Sequence, residues 1–146
     1  MPPKHADSYA AAVKLADSLV CDDCNVVQNG GRWYWGAPPF GEVRGGRCPA
    51  CRRIHDRCPA GTIRLPLALA ADRDDMVRHL QALAAAERAE HPLERIIAID
   101  TRDDALWITT TGIHIARRLT RWLERHVKAM PRIHYTEEHE MRVEWR

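Results

Sequence analysis

Two short cysteine pairs are the residues of this sequence best suited to chemistry. Cys21 and Cys24 form one C-x2-C pair, and Cys48 and Cys51 form another after 23 intervening residues. Four thiolates around a tetrahedral ion are the usual closed structural zinc site, and two tight turns can bring two such pairs together. The spacing therefore predicts a single zinc ion held by these four cysteines.

Other uses of the cysteine pairs are less consistent with their setting. Isolated cysteines often act as small buried apolar residues, but two matched pairs amid polar residues rarely do. A redox dithiol of the thioredoxin kind lies between a strand and a helix of a βαβ unit, and neither pair stands in that pattern. Iron is the alternative metal for a four-cysteine site.

Cys58 and His55 lie close to the quartet without completing it. Cys58 is the odd cysteine beside an even-numbered site, and we expect it to be a buried thiol. His55 follows Cys51 by four residues and would suit a Cys3His site, but the complete quartet makes it the weaker candidate. Because four thiolates leave no coordination position for water, the metal is expected to fold the module without catalysing a reaction.

Recognised enzyme signatures are absent from the sequence. It contains no GxxxxGK[ST], HExxH or GxSxG motif and no glycine-rich dinucleotide fingerprint. Its histidines and acidic residues form no local constellation, and the segment 136–140 is better explained as a solvated hairpin turn than as a cation site. We therefore expect no enzyme, with catalysis by residues that only folding brings together as the alternative.

Arginines and aromatic residues surround the second cysteine pair. Between positions 44 and 57 the chain carries one acidic residue and five arginines, which are Arg44, Arg47, Arg52, Arg53 and Arg57. Trp33, Tyr34 and Trp35 lie in a short predicted strand between the pairs. Arginine offers forked donors to phosphate and exposed rings stack on unpaired bases, so this region suits nucleic acid. Alternatively, the rings pack the small module and the arginines solvate it.

The last predicted helix carries a second basic surface. One of its faces presents His114, Arg118, Arg121, Arg125 and Lys128, and Arg117 broadens it. Such a stripe is most often a solvated face, but the absence of acidic members favours phosphate binding. The candidate nucleic-acid contacts are therefore Arg47, Arg52, Arg53, Arg57, Trp33, Trp35, Arg118, Arg121 and Arg125.

The elements that must position these residues follow from periodicity and turn signals. A short helix is predicted at Tyr9–Val20, and turns with short strands up to residue 61. Strands are then predicted at Thr62–Leu67, Arg95–Ile99, Leu106–Thr111, Arg132–Tyr135 and Met141–Trp145, with helices from Asp72 to His91 and from Gly112 to Pro131. This order contains the β-α-β-β-α-β sequence of a ferredoxin-like sandwich with one strand added.

The predicted fold class is α+β, with an arm and short helix at 1–20, a zinc ribbon at 21–60 and a ferredoxin-like domain at 61–146. The 146 residues are 45% hydrophobic and 29% charged, and a formal net charge of +2 does not by itself predict nucleic-acid binding. Without an apolar run of about 18 residues or a signal-peptide core, the chain is expected in the cytoplasm, away from membranes.

Four segments of the chain resemble a family of small uncharacterised bacterial zinc-ribbon proteins. They are CDDCNVV at 21–27, CPACRRIHDRCPAG at 48–61, HPLERIIAID at 91–100 and TTTGIHIARRL at 109–119. That family is in turn similar to part of the archaeal and eukaryotic adaptor that binds the large ribosomal subunit and, in eukaryotes, accompanies it out of the nucleus. The likeness to the adaptor rests on the CDDC segment with its aromatic strand and on the order of elements from Arg95 onward.

The resemblance implies ribosome binding, but it does not imply nuclear export, because the adaptor's additional cysteine pairs and long C-terminal region are absent here. The expected function is a non-catalytic zinc-binding module that contacts ribosomal RNA or a ribosomal particle. The alternative is a protein-interaction or regulatory adaptor whose arginines meet acidic protein surfaces, without nucleic-acid binding.

Overall fold

The computed structural model describes residues 18–39 and 41–146, which form two β-sheets and three α-helices. The predicted N-terminal arm and most of the predicted helix lie outside the described residues. The architecture is α+β, with a small four-cysteine module of the zinc-ribbon kind followed by a ferredoxin-like domain, as the sequence predicted.

The first sheet belongs to the cysteine module and has the order β3-β2-β1-β4. Its strands are β1 (Ser18–Cys21), β2 (Val27–Asn29), β3 (Arg32–Tyr34) and β4 (Val43–Gly46). The prediction of helix was wrong at residues 18–20. There, β1 pairs antiparallel with β2 and parallel with β4, so its backbone N–H and C=O groups form hydrogen bonds with two neighbouring strands. This pairing prevails over the helical spacing of Leu19 with earlier apolar residues.

Helix α1 (Pro49–Asp56) contains the last cysteine of the module, where the sequence predicted only turns and short strands. The Cys48 sulfur caps its N-terminus by accepting a hydrogen bond from the Cys51 amide, and Pro49 occupies the first turn, where its missing N–H costs nothing. Arg57 ends the helix in a left-handed conformation. The second cysteine pair therefore lies at the start of a helix, where the sequence predicted a tight turn.

The second sheet has the order β6-β7-β5-β9-β8. Its strands are β5 (Gly61–Pro66), β6 (Ile96–Arg102), β7 (Ala105–Thr110), β8 (Arg132–Tyr135) and β9 (Met141–Glu144). The additional strand is β9, which inserts parallel to β5 and leaves β8 at the edge. The predicted strand at Thr62–Leu67 is β5, which ends at Pro66 and is the central strand of the sheet.

Two amphipathic helices, α2 (Arg73–Glu90) and α3 (Ile113–Val127), cover one face of this sheet. Asp72, where the sequence predicted this helix to begin, caps α2 by accepting a hydrogen bond from the Asp75 amide. The largest fully buried side chains of the joint core are Ile63, Leu65, Leu80, Leu106, Ile108, Ile115, Leu119, Leu123, Met141 and Trp145. Within the described ranges, no helix has the length and apolar composition needed to cross a membrane.

Gly61 sets the distance between α3 and the central strand. A Cβ at this position would lie 2.6 Å from the Ala116 Cβ and 2.6 Å from the Thr110 Oγ1, both short side chains that cannot swing away. We expect Gly61→Ala to lower the free energy of unfolding by about 1–3 kcal/mol through overpacking, measured by urea denaturation. Thr109→Ala, on the other face of the sheet, is the control and should cost less than about 1 kcal/mol. Equal stability of Gly61→Ala and the parent would contradict this packing.

Candidate metal centre

Four sulfur atoms converge where the two cysteine pairs meet. The Sγ atoms of Cys21, Cys24, Cys48 and Cys51 all lie within 4.8 Å of one another, and those of Cys24 and Cys48 are 3.8 Å apart. Four sulfurs bound at about 2.3 Å to a tetrahedral zinc ion would be about 3.8 Å apart. None of the four is in a disulfide. The cluster is therefore at metal-binding distance and compatible with zinc.

The first pair is positioned by a tight turn after β1. The Asn25 amide donates to the Cys21 carbonyl at 2.9 Å, and the Cys21 amide donates to the Val26 carbonyl at 2.9 Å. Asn25 has a φ of 67°, a left-handed conformation that asparagine tolerates better than most residues. This local geometry turns the chain so that both sulfurs of the C-x2-C pair face the same point.

The second pair is positioned by the start of α1. The Cys48 amide donates to the Cys21 sulfur at 3.2 Å, and the Cys51 amide donates to the Cys48 sulfur at 3.3 Å. Backbone N–H groups and the positive end of a helix both favour negative charge on sulfur. The module's backbone is thus arranged for thiolates.

Burial and hydrogen bonding act in opposite directions on these thiols. Burial raises the pKa of Cys48 well above its usual range and raises the pKa of Cys51 to about 11. Burial also acts against ionisation of Cys21, but hydrogen bonds from the backbone amides of Cys48, Cys24 and Asp23 lower its pKa to about 7. Compensation by a bound cation would favour the thiolate form of the whole quartet.

Arg95 brings a positive charge to the sulfurs from the α+β domain. Its Nη1 donates to the Cys51 sulfur at 3.1 Å and its Nη2 to the Cys24 sulfur at 3.1 Å, with the Cys48 sulfur 3.7 Å from Nη2. Its Nε donates to the Pro92 carbonyl at 2.8 Å. The guanidinium is therefore held in a fixed orientation against three of the four sulfurs.

The cation at Arg95 is nearly inaccessible to solvent, since the residue is 5% exposed. Burial acts to lower the pKa of Arg95, but the hydrogen bond to Cys24 and the charge of Cys48 raise it above the usual range. Four thiolates and one divalent ion would carry a net charge of two minus, of which Arg95 offsets one. The sequence predicted Arg95 only as the start of a strand, and nothing in its local pattern pointed to the sulfurs.

Trp33 and Trp35 of the cysteine module pack where the module meets the α+β domain. The Trp35 indole N–H donates to the Arg88 carbonyl at 2.8 Å, and its ring centroid lies 5.3 Å from the Arg88 guanidinium and 5.7 Å from that of Arg95. Trp33 and Leu93 pack against the buried cysteine cluster. Both tryptophans are half-buried. Their positions match the alternative in which the rings pack the small module.

The arginines of the module that were predicted to contact nucleic acid differ in exposure and in the groups they bind. Arg47 forms an ion pair with Asp23, with 2.6 Å between Nε and Oδ2. Arg53 donates to the Cys58 carbonyl at 3.0 Å. Arg52 is half-buried on α1, and Arg57 is exposed at its end.

Cys58 and His55 are both outside the metal cluster. The prediction of a buried thiol was wrong, because Cys58 follows the end of α1 and is exposed. Its sulfur lies 3.9 Å from Nη1 of Arg53. His55 is exposed and lies 3.1 Å from the Asp56 carboxylate. Neither residue has a sulfur or nitrogen in the four-cysteine cluster.

The basic stripe of α3 is divided by a buried carboxylate on α2. Arg118 donates to Oε1 of Glu87, and the Nε2 of His114 lies 3.1 Å from Oε2. Burial acts to raise the pKa of Glu87, but the Arg118 hydrogen bond and the charge of His114 hold it below its usual range. Two stripe residues therefore serve an internal contact, whereas Arg121 and Arg125 are exposed.

Glu87, His91 and His114 form a cluster that the sequence did not predict. Their ligand atoms lie within 4.8 Å of one another, although the chain offered no histidine constellation by local spacing. The one signal was the separation of Glu87 and His91 by four residues, which places them on one face of a helix. His114 reaches the same point from α3.

The fold and the site together define an α+β protein in which a four-cysteine module of the zinc-ribbon kind is joined to a ferredoxin-like domain through Arg95 and Trp35. Comparison with known proteins finds no match to a family model, to a curated protein or to a solved structure. The family resemblance therefore stays an expectation.

Proposed function

We propose that this chain is a non-catalytic zinc-binding module that contacts ribosomal RNA or a ribosomal particle in the cytoplasm. Four sulfur donors at tetrahedral spacing support zinc as the bound ion, and a closed four-thiolate shell supports a structural role. Iron is the competing ion for tetrahedral thiolates. Elemental analysis of protein purified without chelator should find at least one zinc ion per chain, and iron in its place would contradict this assignment.

The observation that supports RNA contact best is a pair of uncompensated arginines on α3. Arg121 and Arg125 are exposed and four residues apart, so they lie on one face of the helix. In the part of the chain that the structure describes, neither forms an ion pair or a hydrogen bond. Their charge is available to phosphate, and Arg117 beside them donates to the Tyr135 hydroxyl at 3.1 Å.

The sheet face opposite the helices offers a second surface of suitable chemistry. Trp107 on β7 is half-buried there, with its ring centroid 4.5 Å from the Arg102 guanidinium and 5.8 Å from that of Arg64. Several single-strand RNA-binding domains stack bases on aromatic residues of the central strands of such a sheet. A tryptophan flanked by arginines on β5 and β6 suits that mode of binding.

Charge reversal on α3 tests the proposal directly. The double variant Arg121→Glu/Arg125→Glu should weaken binding to ribosomes or ribosomal RNA at low salt by about tenfold or more and reduce the salt slope by about 2, because it removes two phosphate contacts. Its melting temperature should equal the parent's. Arg118 is left unchanged, since a glutamate there would face the buried carboxylate of Glu87.

The matched control reverses two exposed arginines that are already ion-paired, Arg78 with Asp75 and Arg146 with Glu144. Arg78→Glu/Arg146→Glu changes the net charge equally and should retain most of the binding. Co-sedimentation with purified ribosomes and a pull-down with and without nuclease are the measurements. A parent that never associates with ribosomes or RNA at low salt would exclude the RNA proposal, as would equal loss of binding in both double variants.

A protein-interaction adaptor is the second candidate, and the edge strand β8 favours it. Met130, Ile133 and Tyr135 are 78%, 47% and 47% exposed at this edge. An exposed strand edge with apolar side chains can pair with an extended segment of another protein. Such association would change little with salt, whereas RNA binding would weaken steeply, so a salt titration of the captured complex separates the two candidates.

A further inference from the structure

A second group of metal-ligating side chains lies between α2 and α3, apart from the four cysteines. Glu87 and His91 come from the C-terminal end of α2, and His114 comes from the first turn of α3. One ligand atom from each lies within 4.8 Å of the others. The two imidazole rings meet edge to face, with centroids 5.2 Å apart and planes at 75°.

The Glu87 carboxylate is the unusual member of this group. The residue is 2% exposed, and its Oε1 is held by Arg118. Its Oε2 is buried and lies 3.1 Å from the Nε2 of His114, but it accepts no hydrogen bond of regular geometry from any residue that the structure describes. A buried carboxylate oxygen without a well-aligned donor costs free energy, and a cation would remove that cost.

The spacing of this oxygen from the neighbouring imidazole suits a shared ion. Oε2 lies 3.1 Å from the Nε2 of His114. Two ligand atoms each about 2.0–2.1 Å from a tetrahedral zinc ion would lie about 3.3–3.4 Å apart. Only a small adjustment is therefore needed for Glu87 and His114 to bind one ion, and His91 approaches the same point.

We propose that Glu87, His91 and His114 form a second metal site, which binds a divalent transition-metal cation of the zinc class. Two imidazoles and one carboxylate are a donor set that such ions prefer over magnesium or calcium. The Arg118 hydrogen bond orients the carboxylate, as outer-shell partners of metal ligands do. This site goes beyond the proposed function, since neither zinc in the ribbon nor RNA contact requires it.

The second site differs from the four-cysteine site in its access to solvent. Three protein ligands leave a fourth tetrahedral position, as in zinc sites that bind water or an exogenous ligand. His91 and His114 also line a cleft of about 430 Å³, together with Trp33, Glu90, Pro92, Leu93 and Glu94, so an ion between them would be open to solvent. Of the two acidic residues in this cleft, Glu94 is engaged elsewhere, because its Oε1 accepts a hydrogen bond from the Ile115 amide at 2.8 Å.

Cobalt titration of the full-length protein tests the proposal, because cobalt bound by thiolates absorbs through sulfur-to-metal charge transfer and cobalt bound by nitrogen and oxygen does not. The parent should bind two equivalents, of which only one gives the thiolate signal. His91→Gln and His114→Gln should keep that signal and bind the second equivalent at least about tenfold more weakly. Both histidines are exposed, so their replacement leaves the core unchanged.

The matched control is His79→Gln, an exposed histidine on the same helix whose nearest charged partner is Asp75. It should bind two equivalents like the parent. A parent that binds a single equivalent at millimolar cobalt would overturn the proposal, as would parent-like second binding in both histidine variants. X-ray absorption of the unsubstituted protein with two zinc ions bound reports the ligand atoms directly. A coordination shell of sulfur alone would also overturn the proposal.

Discussion

Replacing Cys21 or Cys48 with Ser is expected to abolish metal binding at the four-cysteine site and to unfold the module of residues 18–60. A structural zinc ion contributes about 10–16 kcal/mol of apparent binding free energy in small zinc modules, more than so small a core supplies. Each substitution removes one of the four ligands and leaves three sulfurs, which cannot complete the tetrahedral shell of the ion. Elemental analysis and the near-ultraviolet circular dichroism of Trp33 and Trp35 measure the two effects.

Cys58→Ser is the matched control for these variants. Cys58 is exposed and lies outside the cluster, so its replacement should leave the metal content and the spectrum unchanged. Equal metal loss in Cys58→Ser and Cys21→Ser would show that the fifth cysteine is a ligand. Retention of a full equivalent of metal at the thiolate site in Cys21→Ser would contradict the quartet itself.

Replacing Arg95 with Leu is expected to have the second largest effect, because it removes a buried cation from three of the four sulfurs. Breaking a buried charge pair from one side costs about 3–5 kcal/mol, and loss of an outer-shell partner lowers metal affinity by about 10–100-fold. Arg95→Lys should be intermediate, since an ammonium keeps the charge but cannot reach two sulfurs with a planar fork. Chemical denaturation and competition with a zinc chelator measure both quantities.

Arg88→Ala is the control for Arg95. The Arg88 guanidinium also lies over Trp35, but the residue is exposed, and the hydrogen bond to the indole comes from its backbone carbonyl, which the substitution retains. It should cost less than about 1 kcal/mol and leave metal affinity unchanged. If Arg95→Leu had the metal affinity and the free energy of unfolding of the parent, the contact between the guanidinium and the sulfurs would contribute to neither quantity.

Contacts between the cysteine module and the α+β domain link the stability of the two parts of the chain. The sulfurs belong to the ribbon, whereas Arg95 directly precedes β6 in the α+β domain. The indole N–H of Trp35 also donates a hydrogen bond to the Arg88 carbonyl on α2. Because loss of metal is expected to unfold the ribbon, it would also take away the sulfurs that accept hydrogen bonds from the buried Arg95. We therefore expect metal removal to reduce the stability of the α+β domain as well as to unfold the ribbon.

The sequence by itself determined the elements whose signals are local. Two C-x2-C pairs predicted the four sulfurs that the structure brings together, because short pairs on turns have few other uses. The cap at Asp72 and the apolar periodicity predicted α2, and the order of helices and strands after residue 61 predicted the ferredoxin-like arrangement.

Local signals failed where two local structures compete for the same residues. The helical spacing that ends at Leu19 gave way to strand β1, since pairing with β2 and β4 satisfied its backbone groups. Pro49 suits a turn and the first turn of a helix equally well, and the Cys48 cap selected the helix. Neither choice could be made without knowing which neighbours the segment meets.

Only the tertiary structure decided which charges meet. Arg95 lies 44 residues from Cys51 in the chain and donates to its sulfur, and His114 reaches Glu87 from another helix. The same contact divides the basic stripe of α3 by engaging Arg118 and leaving Arg121 and Arg125 exposed. Periodicity predicts which residues share a face of a helix. Which residues that face then contacts depends on how the helices pack over the sheet, because packing brings together residues that are distant in the chain.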